Sequence, residues 1–272
     1  MPSDFPQPLV RELFEGPIDL VGDVHGEIDA LEELLRRLGY PEQGPHPQGR
    51  RLVYVGDLVD RGPDSPAVVE RVMAQVAEGQ AQCLLGNHEL NLLRSSEERP
   101  NRKHGNHWFW GESEPIGPDL PLFGSRAAQP DQRARFHTFF SQLPLALERR
   151  DLRVVHACWD ASAIERARQR TDARILYQEA DAATRAAVKE SGLAARSRDL
   201  RQRYREALQD PTRRDLPFLP EVAEHHTRLQ IENPVKVLSS GLEEPISPKA
   251  RPYHIGGKWR MTMRVPWWRD YE

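Results

Sequence analysis

Apolar positions along the first 93 residues follow two alternating patterns. Three short, largely apolar runs, 18–21, 52–55 and 81–85, each end at a glycine: Gly22-Asp23, Gly56-Asp57 and Gly86-Asn87. Runs of that length closed by turn residues predict buried strands. Between them, Ile28, Leu31, Leu34, Leu35 and Leu38 recur at spacings of three and four. This predicts an amphipathic helix over 27–38, stopped by Gly39 and Pro41. A second helix opens at Ser65-Pro66 and carries Val68, Val69, Val72 and Val76 toward Gly79. Strand, helix, strand, helix, strand in that order predicts a parallel sheet with helices packed on it.

Beyond residue 95 the patterning changes. Residues 95–130 are rich in glycine, proline and polar side chains around an aromatic island, Trp108-Phe109-Trp110. A loop this long inside a compact domain is functional or disordered. A helix is expected over 133–140. A hairpin follows, from 145–147 and 152–155 across Glu148-Arg149-Arg150-Asp151, leading into His156. Residues 160–215 hold thirteen basic and ten acidic residues with many alanines, which predicts two or three solvated helices. The chain is therefore read as a single domain, 1–272, with a helical cap or insertion at about 160–230. Strands are expected again at 235–238 and within 258–265.

Composition narrows the classes. At 272 residues the chain can bury a sizeable core despite a mean hydropathy of −0.68. No apolar run approaches the roughly 18 residues of a membrane span, and the N-terminal residues lack the basic and apolar regions of a signal peptide, so a cytoplasmic protein without membrane contact is expected. Cys83 and Cys158 each sit in an apolar run and read as buried, reduced thiols. Residues 1–93 carry seven arginines and no lysine against sixteen acidic residues, while the whole chain is at −3, so the remainder is net positive. An acidic N-terminal part repels nucleic acid unless cations neutralise it, so nucleic acid is not an expected partner.

The strand ends carry the chemistry. Gly22-Asp23-Val24-His25-Gly26, Gly56-Asp57-Leu58-Val59-Asp60-Arg61-Gly62 and Gly86-Asn87-His88-Glu89 each set metal-competent side chains beside glycine where a strand runs out. Ligands in open α/β sheets bind beyond the carboxyl ends of the strands, so these loops are expected to converge. Asp and neutral His together suit borderline divalent ions such as Mn, Fe, Zn or Co. A carboxylate shared by two ions, Asp57 by its position, would hold them about 3.5–4 Å apart, lower the pKa of a bridging water and clamp phosphoryl oxygens. Val154-Val155-His156-Ala157 is another apolar strand ending in a histidine.

These motifs, GDVHG at 22–26, GDLVDRG at 56–62, GNHE at 86–89 and VHA at 155–157, resemble the calcineurin-like metallophosphoesterases. The resemblance is to the branch of phosphoprotein phosphatases and bacterial symmetrical diadenosine tetraphosphatases. It implies an α/β fold, a β-sandwich flanked by helices with a mainly helical insertion. It implies two divalent ions (Mn, Fe, Zn, Co or Ni), with Asp23, His25 and Asp57 holding the first and Asp57, Asn87 and His156 the second. His88 is similar to the family's general acid, Asp60 to the carboxylate that orients it, and Arg61 to the arginine that holds phosphate. The implied reaction is hydrolysis by a metal-bound hydroxide, without a covalent enzyme intermediate. The implied substrate is a phosphorylated protein, a small phosphorylated metabolite or a dinucleoside polyphosphate.

Other readings accompany these. Asp60 and Arg61 can form a structural ion pair instead. Trp108-Phe109-Trp110 can stack on a purine, while His104 and His107 fit a surface loop. Trp267-Trp268 reads as packing, and Cys158 as an inert thiol rather than one sensing the metals. The family also supplies a late Gly-His to its second metal, and no such dipeptide follows Cys158. His225, His226 and His254 are the remaining candidates, so the second site is expected to be weak. The competing class is a degenerate, non-catalytic metal- or phosphate-binding module.

Overall fold

The computed structural model describes residues 7–96, 100, 105–112 and 125–270. The chain opens with β1 (Val10–Glu12), β2 (Ile18–Val21), α1 (Ile28–Leu38), β3 (Arg51–Tyr54), α2 (Ser65–Ala77), β4 (Ala81–Cys83) and α3 (Asn87–Leu93). After a short 3-10 turn at His107–Trp110 come α4 (Pro130–Ser141), β5 (Ala146–Arg149) and β6 (Leu152–Val155). The next stretch is helical: α5 (Ala161–Arg168), α6 (Ala173–Glu190), α7 (Leu193–Arg203), α8 (Arg205–Gln209), α9 (Pro220–Ile231) and α10 (Pro234–Ser240). It closes with the short strands β7 (Glu243–Pro245), β8 (Tyr253–Ile255), β9 (Lys258–Arg260) and β10 (Thr262–Arg264).

Two three-stranded sheets form the centre. The first is parallel in the order β2-β3-β4, with Val21 opposite Tyr54 and Tyr54 opposite Cys83. The second runs β1-β5-β6, with β1 parallel and β6 antiparallel to β5. Val53 of β3 meets Leu147 of β5 and Val154 of β6 in one buried cluster with Leu13 and Leu84, so the sheets face each other. The larger apolar cluster packs helices on the outside, joining Leu31 and Leu35 of α1 and Val68, Val69 and Val72 of α2 to Leu52 and Tyr54. This is the expected α/β sandwich.

Local sequence explains where the elements begin and end. Asp64 caps α2 by accepting from the Ala67 N–H, with Pro66 in the first turn, and Gly39 ends α1 in the left-handed conformation at φ +87°. Leu34 stands 39% exposed, so the buried stripe of α1 is narrower than the five-residue pattern predicts.

Residues 235–238 are a correction. They lie in α10, not in a strand, because Asn233 accepts from the N–H groups of Val235 and Lys236 and Pro234 occupies the first helical turn. Two valines and a leucine within four residues mimic a strand, but the cap in front of them decides. The 258–265 stretch divides into two strands in different two-stranded sheets, β8–β9 and β7–β10. The 160–215 stretch holds four helices, not two or three. Cys83 and Cys158 are both buried and unpaired. Among the described residues no helix is long and apolar enough to cross a membrane.

Candidate functional site

Parallel strands β2, β3 and β4 deliver their three loops to one edge of the sheet, and β6 brings His156 to the same place. Asp57 Oδ2 is the hub. It stands 3.6 Å from His156 Nε2, 3.8 Å from His88 Nε2 and 3.9 Å from His25 Nε2. Asp23 Oδ2 lies 3.7 Å from the same His25 nitrogen. Two groups of three possible ligands result, His25 with Asp57 and His88, and Asp23 with Asp57 and His156; within each, the ligand atoms lie within 4.8 Å of one another.

The imidazoles are oriented from behind. His25 Nδ1 is 2.9 Å from the Val59 carbonyl and His156 Nδ1 is 2.8 Å from the Val55 carbonyl. A carbonyl only accepts, so each Nδ1 carries the proton and each Nε2 keeps a lone pair turned toward Asp57. His25 Nε2 is buried and has no hydrogen-bond partner among the described residues. Burial holds the His25 pKa below the ordinary imidazole range, partly offset by the Val59 contact. An orphaned lone pair beside two carboxylates fits a divalent cation: donors sharing one ion at about 2.0–2.2 Å sit roughly 3–4 Å from each other.

His88 is held differently. Its Nδ1 lies 2.6 Å from Asp60 Oδ2, and the other Asp60 oxygen accepts from Trp108 Nε1 at 2.7 Å. Asp60 is fully buried. Burial opposes charge on His88, but the Asp60 hydrogen bond and the carboxylates of Asp57 and Asp60 outweigh it and raise its pKa. The Asp60–Arg61 ion pair is thereby excluded. Both Asp60 oxygens are engaged elsewhere, and Arg61 is exposed with no carboxylate partner among the described residues.

Asn87 opens α3. Oriented so that both ends of its carboxamide are satisfied, it donates to the Ser239 carbonyl at 3.1 Å and accepts from the His88 N–H at 3.2 Å. The C-terminal end of α10 thus abuts Asn87, and the Leu238 carbonyl accepts from Ala157 next to His156. None of the late histidines joins this cluster. His254 lies in the β8–β9 hairpin with its ring 5.4 Å from that of Trp259, and His225 and His226 are on α9.

The backbone here is strained. Among the described residues four non-glycine residues have positive φ: His25 at +47°, Asp57 at +52°, and Asp60 and Arg61 at +69°. All four are in this site. Such conformations cost about 1–3 kcal/mol each and persist where the surroundings over-determine them, commonly at functional sites. Neighbouring glycines let the loops close on one another. A Cβ on Gly62 would lie 2.2 Å from the His25 carbonyl oxygen, and one on Gly86 would lie 2.3 Å from the Asp57 nitrogen.

A profile of the calcineurin-like phosphoesterases matches residues 16–171, more than half of the chain. The chain belongs to the calcineurin-like phosphoesterase family. A relative from Oceanobacillus iheyensis, named as an asymmetrical bis(5'-nucleosyl)-tetraphosphatase, is 33% identical over 59% of this chain and 63% of its own length. One from Acidovorax sp., named as a symmetrical bis(5'-nucleosyl)-tetraphosphatase, is 41% identical over 30% of this chain and 28% of its own. A solved structure described as that of a candidate diadenosine tetraphosphatase aligns over 57% of this chain and 59% of its own, at 26% identity and a TM-score of 0.35. The chain spans under two thirds of the length of these relatives. The matched region of this calcineurin-like phosphoesterase contains all four strand-end motifs and ends between α5 and α6.

Three residues that support this phosphoesterase site lie outside the sequence-level assignments. Glu89, fully buried, accepts from the backbone N–H groups of Asp57, Leu58 and Gly86 and so ties two loops together. Burial and the Asp57 carboxylate push its pKa up, against the pull of those N–H donors. Trp108 is fully buried with its indole on Asp60, which removes it as a stacking platform for a purine, and Phe109 is buried beside it. Ser65 Oγ accepts from the Asp60 N–H. Trp267 packs with its indole donating to Ala157, while Trp268 is 62% exposed. The Cys158 thiol is pushed up to about 11 by burial and Asp160, which leaves it unreactive at neutral pH. His107 opens the short 3-10 turn, and His104 lies outside the described residues.

Proposed function

We propose that the chain hydrolyses phosphoric ester or anhydride bonds with two divalent ions of the Mn, Fe, Zn, Co or Ni class, and that a dinucleoside polyphosphate is its substrate. The observation that carries the reading is the convergence of three histidine Nε2 atoms on Asp57 Oδ2 at 3.6–3.9 Å. The substrate class is supported by the tetraphosphatase names of the matched relatives. Asp23, His25, Asp57, Asn87 and His156 would hold the ions. Bound there, the ions supply a water of lowered pKa and positive charge for the phosphoryl oxygens.

The chain's own residues do the rest. Asp60 fixes the His88 ring through Nδ1 and favours its protonated form, so that Nε2 can deliver a proton to the leaving oxygen. Arg61, exposed at the rim, offers a planar pair of donors to two phosphoryl oxygens. Glu89 keeps Asp57 in its strained conformation. A non-catalytic module has no need of a buried His88–Asp60 pair, which favours the enzyme reading. The unpaired, buried cysteines fit a reducing compartment, the cytoplasm.

The test is turnover of diadenosine tetraphosphate, a phosphopeptide and p-nitrophenyl phosphate by metal-stripped protein supplied with Mn, Ni, Co or Mg. Metal-dependent hydrolysis, fastest on the dinucleotide, is expected. Absence of turnover with every metal and substrate would assign the chain to the non-catalytic class.

A further inference from the structure

A cavity of about 530 Å³ lies between α7, α8, α9, α10 and the β9 strand, and none of the metal-site residues lines it. Its walls carry Arg201, Arg205, Lys258 and Arg260. Among the described residues none of these four cations has a carboxylate partner, whereas some arginines elsewhere do, as Arg36 and Arg37 do in Glu33. The acidic residue in the lining, Glu243, already accepts from Thr262 Oγ1. Lys236 reaches the same cavity but is paired with Asp181.

The excess positive charge is felt inside. Burial pushes the His226 pKa down to about 4, and Arg201, Arg260 and Lys258 all act on it in the same direction. Arg201 points a guanidinium nitrogen at His226 Nε2, an arrangement that holds the imidazole neutral and leaves the arginine charge uncompensated. One wall is apolar: the Trp259 indole, fixed by its Nε1 bond to the Asp210 carbonyl, with Leu208 and Leu229. Four converging unpaired cations around a volume in the small-molecule range, beside a fixed aromatic plane, match one ligand chemistry.

We propose that this cavity is a second anion site, separate from the metal centre, that binds a small molecule carrying an oligophosphate chain. The phosphates meet Arg201, Arg205, Lys258 and Arg260. When the chain carries a nucleoside, its base meets Trp259. The site stands independently of the hydrolytic reading, because none of its residues takes part in that chemistry.

The experiment is calorimetric titration of the full-length protein in excess EDTA, so that the metal centre contributes neither ions nor turnover. Tripolyphosphate and ATP serve as probes at low ionic strength. Saturable binding of tripolyphosphate is expected, weakened at least tenfold in Arg201→Ala/Arg260→Ala and in Lys258→Glu, and unchanged in Arg61→Ala. Trp259→Leu separates the two ligand sources: a selective loss for ATP assigns the site to nucleotides, and equal affinities assign it to the phosphate chain alone. Circular dichroism confirms that each variant is folded, and the exposed Lys258→Glu serves should the double variant fail. Absence of binding, binding lost in Arg61→Ala but retained in the cavity variants, or tighter binding of a DNA duplex with the same residue dependence would overturn the proposal.

Discussion

His88 Nδ1 and Asp60 Oδ2 are 2.6 Å apart, and the second Asp60 oxygen is closed off by the Trp108 indole. A buried carboxylate with both oxygens engaged can hold an imidazole in one tautomer and one rotamer. The arrangement predicts leaving-group selectivity. His88→Ala is expected to lose about 10²–10⁴-fold on phosphoserine, whose alkoxide leaving oxygen needs a proton, and far less on p-nitrophenyl phosphate. Equal losses on both kinds of substrate would remove His88 from that role.

Trp108 acts on the same pair from one step further out. Trp108→Phe keeps the ring but leaves a buried Asp60 oxygen without a donor, at a cost of about 1–3 kcal/mol. The expected result is a lowered kcat on substrates with poor leaving groups and an unchanged KM. A change in KM with kcat preserved would show that Trp108 shapes substrate binding and not His88.

Gly62 tests the loop packing. A Cβ there would lie 2.2 Å from the His25 carbonyl oxygen and 2.7 Å from the Gly26 carbonyl carbon, both backbone atoms that cannot step aside. Gly62→Ala should separate the first two loops and abolish turnover, while the hairpin β5–β6 and the α6–α9 helices keep the far-ultraviolet spectrum helical. A fully active Gly62→Ala protein would contradict the close approach.

A pH prediction concerns the cap. Above about pH 6.5, His226 is neutral both folded and unfolded and has no effect on stability. As the pH falls from about 6.5 toward 4, the unfolded chain takes up a proton that the native protein refuses, so stability is lost across that window. Allowing for partial exposure, the loss is on the order of 2–3 kcal/mol. Denaturant unfolding at pH 7, 5.5 and 4.5 should show a shallower decline for His226→Gln than for the wild type; parallel declines would refute it.

The strand ends were legible in the sequence because each motif couples a glycine to a metal-competent side chain at the end of an apolar run. The parallel sheet then brings Asp23, Asp57 and Asn87 together as a matter of topology. Less was legible where local chemistry overrides the pattern. The Val-Lys-Val-Leu run at 235–238 imitates a strand, and Asn233-Pro234 turns it into a helix whose end meets Asn87. Glu89 and Trp108 were invisible as supports, since their roles depend on backbone N–H groups and a carboxylate that lie 31 to 48 residues away in sequence. The positive φ values at His25, Asp57, Asp60 and Arg61 run against side-chain preference and had no signal beyond the neighbouring glycines.

The second ion is expected to be the weaker. Asn87 is a neutral ligand engaged with Ser239 and His88, and among the described residues neither His254 nor the α9 histidines joins it, so His156 is the imidazole that site depends on beside the carboxylates. Titration of metal-free protein should give one tight and one weak equivalent, with activity following the second, and His156→Ala should remove the weak one. Two equal tight equivalents would contradict this.

The central claim, that Asp57 is the shared carboxylate of a two-ion site, is tested most directly by elemental analysis of purified Asp57→Asn beside the wild type. Both proteins must be shown folded by their thermal transitions. The account predicts near-complete loss of bound divalent metal in the variant, because both clusters of possible ligands include Asp57. A folded Asp57→Asn protein with unchanged metal content would contradict it.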